Sequence, residues 1–145
     1  MDEPSDLEAL IGYNLKRAYV IVAADLREAG DPDGLSPRVF TALALCVASP
    51  NITQSALARR MGIERSGLVA IADELEARGF LRRAPVPGDR RVQALVPTEA
   101  GRAAHAQALA AMQAHEDRLF AHMTAEERAH LLTLLRKIRV HEDDG

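Results

Sequence analysis

Cysteine, tryptophan and uninterrupted apolar runs are scarce in this sequence, and each scarcity closes off a class of protein. Cys46 is the only cysteine in 145 residues. One thiol cannot build a disulfide framework or a multi-cysteine zinc site, and it suits a reducing compartment. Tryptophan is absent, and Tyr13, Tyr19, Phe40, Phe80 and Phe120 are the only aromatics. With 48 % hydrophobic residues overall, the core must therefore be aliphatic and is expected to be helical. The best candidate for a membrane span, Leu7 to Leu26, is broken by Lys16, Arg17 and Asp25. Met1-Asp2-Glu3-Pro4 lacks the basic start and apolar run of a signal peptide. A soluble cytoplasmic protein with no membrane partner is the expectation. Gly-rich phosphate loops, Gly-x-Ser-x-Gly elbows and nucleophiles with a neighbouring base are missing too. No enzyme, catalytic residue or cofactor is assigned.

What the chain does have is charge in an uneven arrangement. The formal net charge is −3. Residues 1–52 carry 4 basic and 8 acidic side chains, and residues 99–145 carry 6 and 8. Residues 53–98 reverse the sign, with 8 basic and 5 acidic. A basic middle between acidic flanks fits a site for a polyanion on a surface that otherwise repels it.

The apolar spacing predicts a long first helix over 7–28, with Leu7, Leu10, Ile11, Leu15, Ala18, Ile21 and Val22 on one face. Tyr13, Tyr19 and Val20 lie off that stripe, so the helix is apolar on more than one side. Gly30-Asp31-Pro32-Asp33-Gly34 ends it. Ser36-Pro37 opens a second helix to about Ala48. Thr53 caps a third over Gln54 to Met61, with Ala56, Leu57 and Met61 inward. Gly62 breaks it, and a fourth runs from about Glu64 to Arg78-Gly79, the helix-turn-helix pattern. At ~100° per residue, Leu68, Ile71, Ala72 and Leu75 share the inward face of the fourth helix. Arg65, Ser66, Val69, Ala70 and Asp73 face out, and most are small, as suits a face laid close to another surface.

Two strand-like segments, Phe80 to Ala84 and Val92 to Val96, flank Pro85-Val86-Pro87-Gly88-Asp89-Arg90-Arg91 and predict a β-hairpin with an arginine-bearing tip. Thr98 caps a long helix to about His122. Thr124-Ala125-Glu126-Glu127 is a capping box for a last helix to about Val140. The expected fold is mainly α with a small β-hairpin wing: a winged helix-turn-helix flanked by N- and C-terminal dimerisation helices. The outer helices carry more apolar surface than one small domain covers. Leaving ~400 Å² bare on each would cost about 10 kcal/mol per helix, and a second copy in a C2 homodimer is the simplest cover.

Five pieces in this order resemble the MarR (multiple antibiotic resistance) family of transcriptional regulators. They are Gly34-Leu35-Ser36-Pro37, Thr53-Gln54-Ser55-Ala56-Leu57-Ala58, Leu75-Glu76-Ala77-Arg78-Gly79-Phe80-Leu81-Arg82-Arg83, Gly88-Asp89-Arg90-Arg91 and Thr98-Glu99-Ala100-Gly101. The resemblance spans Leu7 to Val140. It implies one domain over 1–145, with the winged helix-turn-helix at about 36–98 and dimerisation helices at about 6–30 and 99–141. It also implies a homodimer that binds a pseudo-palindromic operator in double-stranded DNA, usually as a repressor released by a small molecule or an oxidant. Gly67 stands where the family usually has a hydroxyl residue, and Ala70 and Ile71 where longer polar residues are common. The operator sequence is expected to differ accordingly. Pro97 replaces a more usual leucine and predicts an early end to the second wing strand.

The DNA-contacting residues expected on these grounds follow from groove chemistry. Arg65 can bond bidentately to guanine O6 and N7 in the major groove. Ser66, Val69 and Ala70 can meet a phosphate or a thymine methyl. Gln54 and Ser55 suit phosphate contact at a helix N-terminus, and Arg82 and Arg83 add backbone charge. Arg90 and Arg91 suit a narrow minor groove, with Asp89 accepting the N–H fork of Arg91 and holding it ready.

Other constellations are weaker. Cys46 sits in an apolar run, whereas oxidant-sensing relatives place a reactive cysteine near the start of the first helix, so a buried inert thiol is expected. His105, His115, His122, His130 and His141 crowd the last third. His115 and His122 share helical spacing, as do Glu126 and His130, but no zinc-binding motif forms and no metal is assigned. Tyr13, Arg17 and Phe40 are the candidate effector residues, an aromatic wall with a cation suited to a small aromatic or phenolic ligand. The alternatives are a winged-helix module that binds protein partners and a redox- or metal-responsive regulator.

Overall fold

The computed structural model describes residues 6–29 and 34–140. The start of the chain, the breakers Gly30 to Asp33 and His141 lie outside the described residues. In chain order come a 3₁₀ turn (Asp6–Ala9), α1 (Ile11–Ala29), α2 (Pro37–Ala48), β1 (Ile52–Thr53), α3 (Gln54–Met61) and α4 (Arg65–Ala77). They are followed by β2 (Leu81–Val86), β3 (Asp89–Pro97), α5 (Glu99–Leu119) and α6 (Ala125–Ile138). The winged helix-turn-helix expected from the sequence is what forms.

Local chemistry sets most boundaries. Four of the helices begin on a hydroxyl that accepts a backbone N–H three residues on: Ser36 from Val39, Thr53 from Ala56, Thr98 from Gly101 and Thr124 from Glu127. Each satisfies one of the amides a helix start leaves open. Thr124 and Glu127 complete a reciprocal capping box. The Glu127 carboxyl is held below the usual carboxylate range, mainly by the hydrogen bond it accepts from the Thr124 backbone N–H. Its contribution is therefore present at neutral pH and lost as the pH falls through the lowered pKa.

Two boundaries and one buried face differ from the expectation. Leu7 lies in the 3₁₀ turn rather than in α1. The Asn14 amide donates to the carbonyls of Glu8 and Leu10, both at 2.8 Å, and a short polar side chain that competes for carbonyls in this way separates turn from helix. On α3, Leu57 and Ala58 are buried while Ala56 and Met61 are half-buried, because two turns of helix are too few for apolar spacing to tell neighbours apart. Helix α5 stops at Leu119, three residues short, so His122 falls beyond it and shares no helix face with His115.

The wing also differs. It is part of a three-stranded antiparallel sheet ordered β1-β3-β2, in which the two-residue β1 pairs Ile52 with Leu95 and Thr53 with Ala94. Pro97 does not end β3 early: it pairs with Leu81 and is buried. The β2–β3 register runs evenly from Leu81↔Pro97 to Pro85↔Gln93, then jumps to Val86↔Asp89. Pro85 has no N–H to continue the ladder. Arg90, Arg91 and Val92 are thus looped out against a single step of β2, a bulge that sets both arginines off the sheet.

The core gathers Leu43 and Cys46 of α2, Leu57 of α3, Leu68 and Leu75 of α4, and Leu95 of β3, all fully buried. All four residues expected on the inward face of α4 are buried. On α5, Gly101 packs directly on the Phe80 backbone. His115 is buried with Nδ1 3.2 Å from an Asp25 carboxylate oxygen, tying α5 to α1, while its Nε2 has no partner among the described residues. Helix α6 buries no residue and meets α5 through Arg128 and Asp117 at 3.0 Å. Ile11, Tyr19 and Ile21 on α1, and Leu132 and Ile138 on α6, are exposed in the single chain.

Candidate nucleic-acid interface

The turn between α3 and α4 places the groove-facing rod. Gly62 adopts left-handed φ 66°, ψ 33°, a conformation glycine takes without strain. The Ile63 N–H then returns to the Ala58 carbonyl at 3.0 Å, and half-buried Ile63 seats on the core. Helix α4 begins two residues later on Glu64, whose side chain caps nothing. Its first amides keep no side-chain acceptor.

On α4, Arg65, Ser66 and Ala70 are exposed and Val69 is half-buried. This outward face is small apart from Arg65, so another surface can approach the backbone closely. Gly67 lies at its edge. A Cβ there would come within 3.2 Å of the Arg38 guanidinium, which reaches across from α2. Sequence reasoning does not find Arg38; its only trace is the unusual glycine at 67.

The other flank is built from three elements around Arg83. Its Nη2 donates to Asp73 at 2.7 Å, Nη1 to Glu76 at 3.1 Å, and Nε to the Gln54 side-chain oxygen at 3.0 Å. Its backbone N–H donates to the second Glu76 oxygen at 3.2 Å. The guanidinium is only 20 % exposed. Arg83 and Gln54, both expected from sequence as phosphate contacts, are thus already engaged with each other, and Arg83 with two acids of α4. Ser55 and Arg82 are exposed.

At the wing tip, one Asp89 oxygen accepts the Arg91 backbone N–H at 3.0 Å. The Arg91 Nε lies 3.7 Å from that oxygen, beyond hydrogen-bond distance. The expected capture of the guanidinium fork is corrected: Asp89 fixes the backbone of the bulge, and the Arg91 side chain, 94 % exposed, keeps its fork free.

The ion pairs account for Asp73, Glu76 and Asp89. Among the described residues, Arg59, Arg60, Arg65, Arg82 and Arg90 hold no ion pair, against Glu64 and Glu74 on the acidic side. Three of the five acids of this stretch are thus taken up in ion pairs, and most of its arginines are not.

The three candidate effector residues stand on two helices, Tyr13 and Arg17 on α1 and Phe40 on α2. Phe40 packs against the core and stacks on His105 of α5, ring centroids 5.7 Å apart at 16°. Tyr13 is half-buried and Arg17 exposed on α1. Nothing in the sequence around His105 marks it as the neighbour of Phe40.

Cys46 is completely buried, and burial pushes its thiol up to about 12. Thiolate is the reactive form. After peroxide at neutral pH, a digest of the folded protein is expected to show the Cys46 peptide with its thiol unoxidised, with labelling by a thiol reagent appearing only in denaturant. Sulfenic or sulfinic acid on Cys46 of the folded protein would reverse this. Among the described residues no three His, Cys, Asp or Glu side chains gather as a metal site would require, and no helix is long and apolar enough to cross a membrane.

A helix-turn-helix with a small-residue outer face on α4, arginines without ion pairs on α3, α4 and β2, and an arginine-tipped wing defines a winged-helix DNA-binding protein. The MarR family profile matches residues 33–92. In structure, the chain is similar to the transcriptional repressor CouR bound to a 23-mer DNA duplex, with 38 % identity and TM-score 0.85 over 95 % of this chain and 99 % of that one. It is also similar to a MarR-family regulator from Rhodococcus sp. RHA1, with 30 % identity and TM-score 0.82 over 90 % and 92 % of the two chains. In sequence, it is 29 % identical over 136 residues to the repressor NicR of Pseudomonas putida, covering 93 % of this chain and 85 % of that protein. The chain belongs to the MarR family of transcriptional regulators.

Proposed function

We propose that the protein is a homodimeric, cytoplasmic repressor that binds a pseudo-palindromic operator and leaves it when a small aromatic ligand binds. The observation that carries this reading is the small outer face of α4 together with arginines that hold no ion pair on every element of the unit: Arg59 and Arg60 on α3, Arg65 on α4, Arg82 on β2 and Arg90 on β3. In this reading residues 36–98 form the DNA-binding region. Arg65 reads a base edge, Ser66, Val69 and Ala70 fit closely against the groove, and Ser55 and Arg82 meet phosphates. Arg90 and Arg91 enter the minor groove. Residues 6–30 and 99–141 form the dimer, which covers the apolar faces of α1 and α6. No step of this function needs a catalytic group.

The aromatic ligand class is supported by a second CouR structure, bound to p-coumaroyl-CoA, whose aligned chain is 35 % identical over 97 % of this one and whose ligand carries a phenolic acyl group. The aromatic pair Phe40 and His105, with Tyr13 and Arg17 on α1, offers ring contacts and a cation to such a molecule.

Selection of duplexes from a random pool by the full-length protein tests the reading. Enrichment of an inverted repeat with half-sites about 10 base pairs apart is expected, with log affinity falling linearly in log salt. p-Coumaroyl-CoA added to the selected complex should release the DNA. Failure to enrich any sequence, or binding indifferent to salt, would favour a module for protein partners.

A further inference from the structure

We infer that Arg83 acts without touching DNA: it is a positioning residue that locks the wing to the recognition helix α4 and sets the direction of the Gln54 amide. The inference rests on the DNA-binding reading above and gives Arg83 and Gln54 different roles within it. Three elements of the interface converge on this side chain: α3 through Gln54, α4 through Asp73 and Glu76, and β2 through Arg83 itself.

Two physical consequences follow. Gln54 gives its oxygen to the Arg83 Nε, so its NH₂ group is left as the outward donor, the polarity a phosphate oxygen requires. With the amide reversed, NH₂ would meet the guanidinium and the oxygen would face the phosphate. Arg83 therefore selects one of two nearly isosteric orientations. The second consequence concerns repulsion. Asp73 and Glu76 are acids on a helix laid against a polyanion, and Asp73 is 64 % exposed. Arg83 answers both carboxylates with a planar fork, a geometry lysine's single ammonium cannot reproduce. Each of its three guanidinium nitrogens already donates one N–H within the protein, and with the side chain only 20 % exposed the two N–H groups left over have little access to a phosphate.

A phosphate contact and a positioning residue leave different signatures. Losing a phosphate contact weakens all DNA alike and lowers the salt slope by about one. Losing a positioning residue weakens the cognate sequence selectively. Arg83→Lys, Arg83→Ala and Gln54→Ala would be titrated in the full-length dimer against the duplex selected by the wild type and against a random-sequence duplex. Arg83→Lys, which keeps the charge, is expected to lose about tenfold on the selected duplex, clearly less on the random one, where only the Gln54 phosphate contact suffers, and to retain the wild-type salt slope. Combining Arg83→Lys with Gln54→Ala should weaken binding by less than the two single losses taken together, because both act on the Gln54 contact. Wild-type affinity in Arg83→Lys, or an equal loss on both duplexes with a flatter slope, would overturn the inference. A thermal melt of Arg83→Lys guards the comparison. If the wild type selects no duplex, the DNA-binding reading itself has failed; if it does and Arg83→Lys matches it, only this inference has.

Discussion

Gly101→Ala is expected to destabilise the protein by at least about 3 kcal/mol, with a fall of about 10 °C in melting temperature for a chain of this size. A Cβ on residue 101 would land on the carbonyl of Phe80, within 2.9 Å of its carbonyl carbon and 3.1 Å of its Cα. These are backbone atoms and cannot swing aside as a side chain would. Nor can the helix start retreat easily. The Thr98 N–H donates to the Phe80 carbonyl at 3.1 Å, and the Thr98 hydroxyl donates to the Gly79 carbonyl while accepting the Gly101 N–H at 3.0 Å. One short loop thus fixes the end of α4, the start of β2 and the first turn of α5. An added methyl has to break that cluster or push α5 off the sheet. Gly67→Ala makes the contrast, because its new Cβ meets only the tip of the flexible Arg38 side chain at 3.2 Å. It should melt close to wild type. Equal melting temperatures for Gly101→Ala and wild type would refute this account of the junction.

That junction also shows which regions of the molecule can be read from sequence. Thr98-Glu99-Ala100-Gly101 is visible as a motif, yet the reason for its glycine lies twenty-one residues upstream at Phe80. Features governed by near neighbours are legible. The hydroxyl caps, the bounds of α2, α3 and α4 and the inward face of α4 follow from chemistry within a few positions. Features governed by distant partners are not. Strand β1 is two residues long, too short for any periodicity, and exists because Leu95 and Ala94 are there to pair with it. The wing bulge depends on what Pro85 cannot donate to the strand opposite. Phe40 meets His105, and Asp25 meets His115, across helices far apart in the chain. The candidate site divides in the same way. The residue types expected at an interface with DNA are recognisable, but not that Arg83 and Gln54 bond to each other. An arginine next to an arginine on a strand looks the same in sequence whether it faces solvent or closes a four-residue cluster.

Replacing both Arg90 and Arg91 by alanine is expected to weaken operator binding about a hundredfold at moderate salt, and to lower the slope of log affinity against log salt by about two. Both side chains stand on the looped-out stretch of β3, and neither is held by a bidentate partner. Their charge is available to a narrow minor groove, where negative potential is concentrated and arginine is drawn in with little dependence on base edges. The loss should therefore fall on the selected duplex and, to a lesser degree, on any duplex. Stability should stay within about 0.5 kcal/mol of wild type, because exposed side chains away from caps and core rarely contribute more. Asp89→Ala separates charge from geometry. It leaves both cations in place but removes the acceptor of the Arg91 backbone N–H, so affinity should fall while the salt slope does not. A double alanine variant with the wild-type slope would mean that the wing never reaches the phosphates. DNA contact would then rest on α3, α4 and Arg82 without the wing tip.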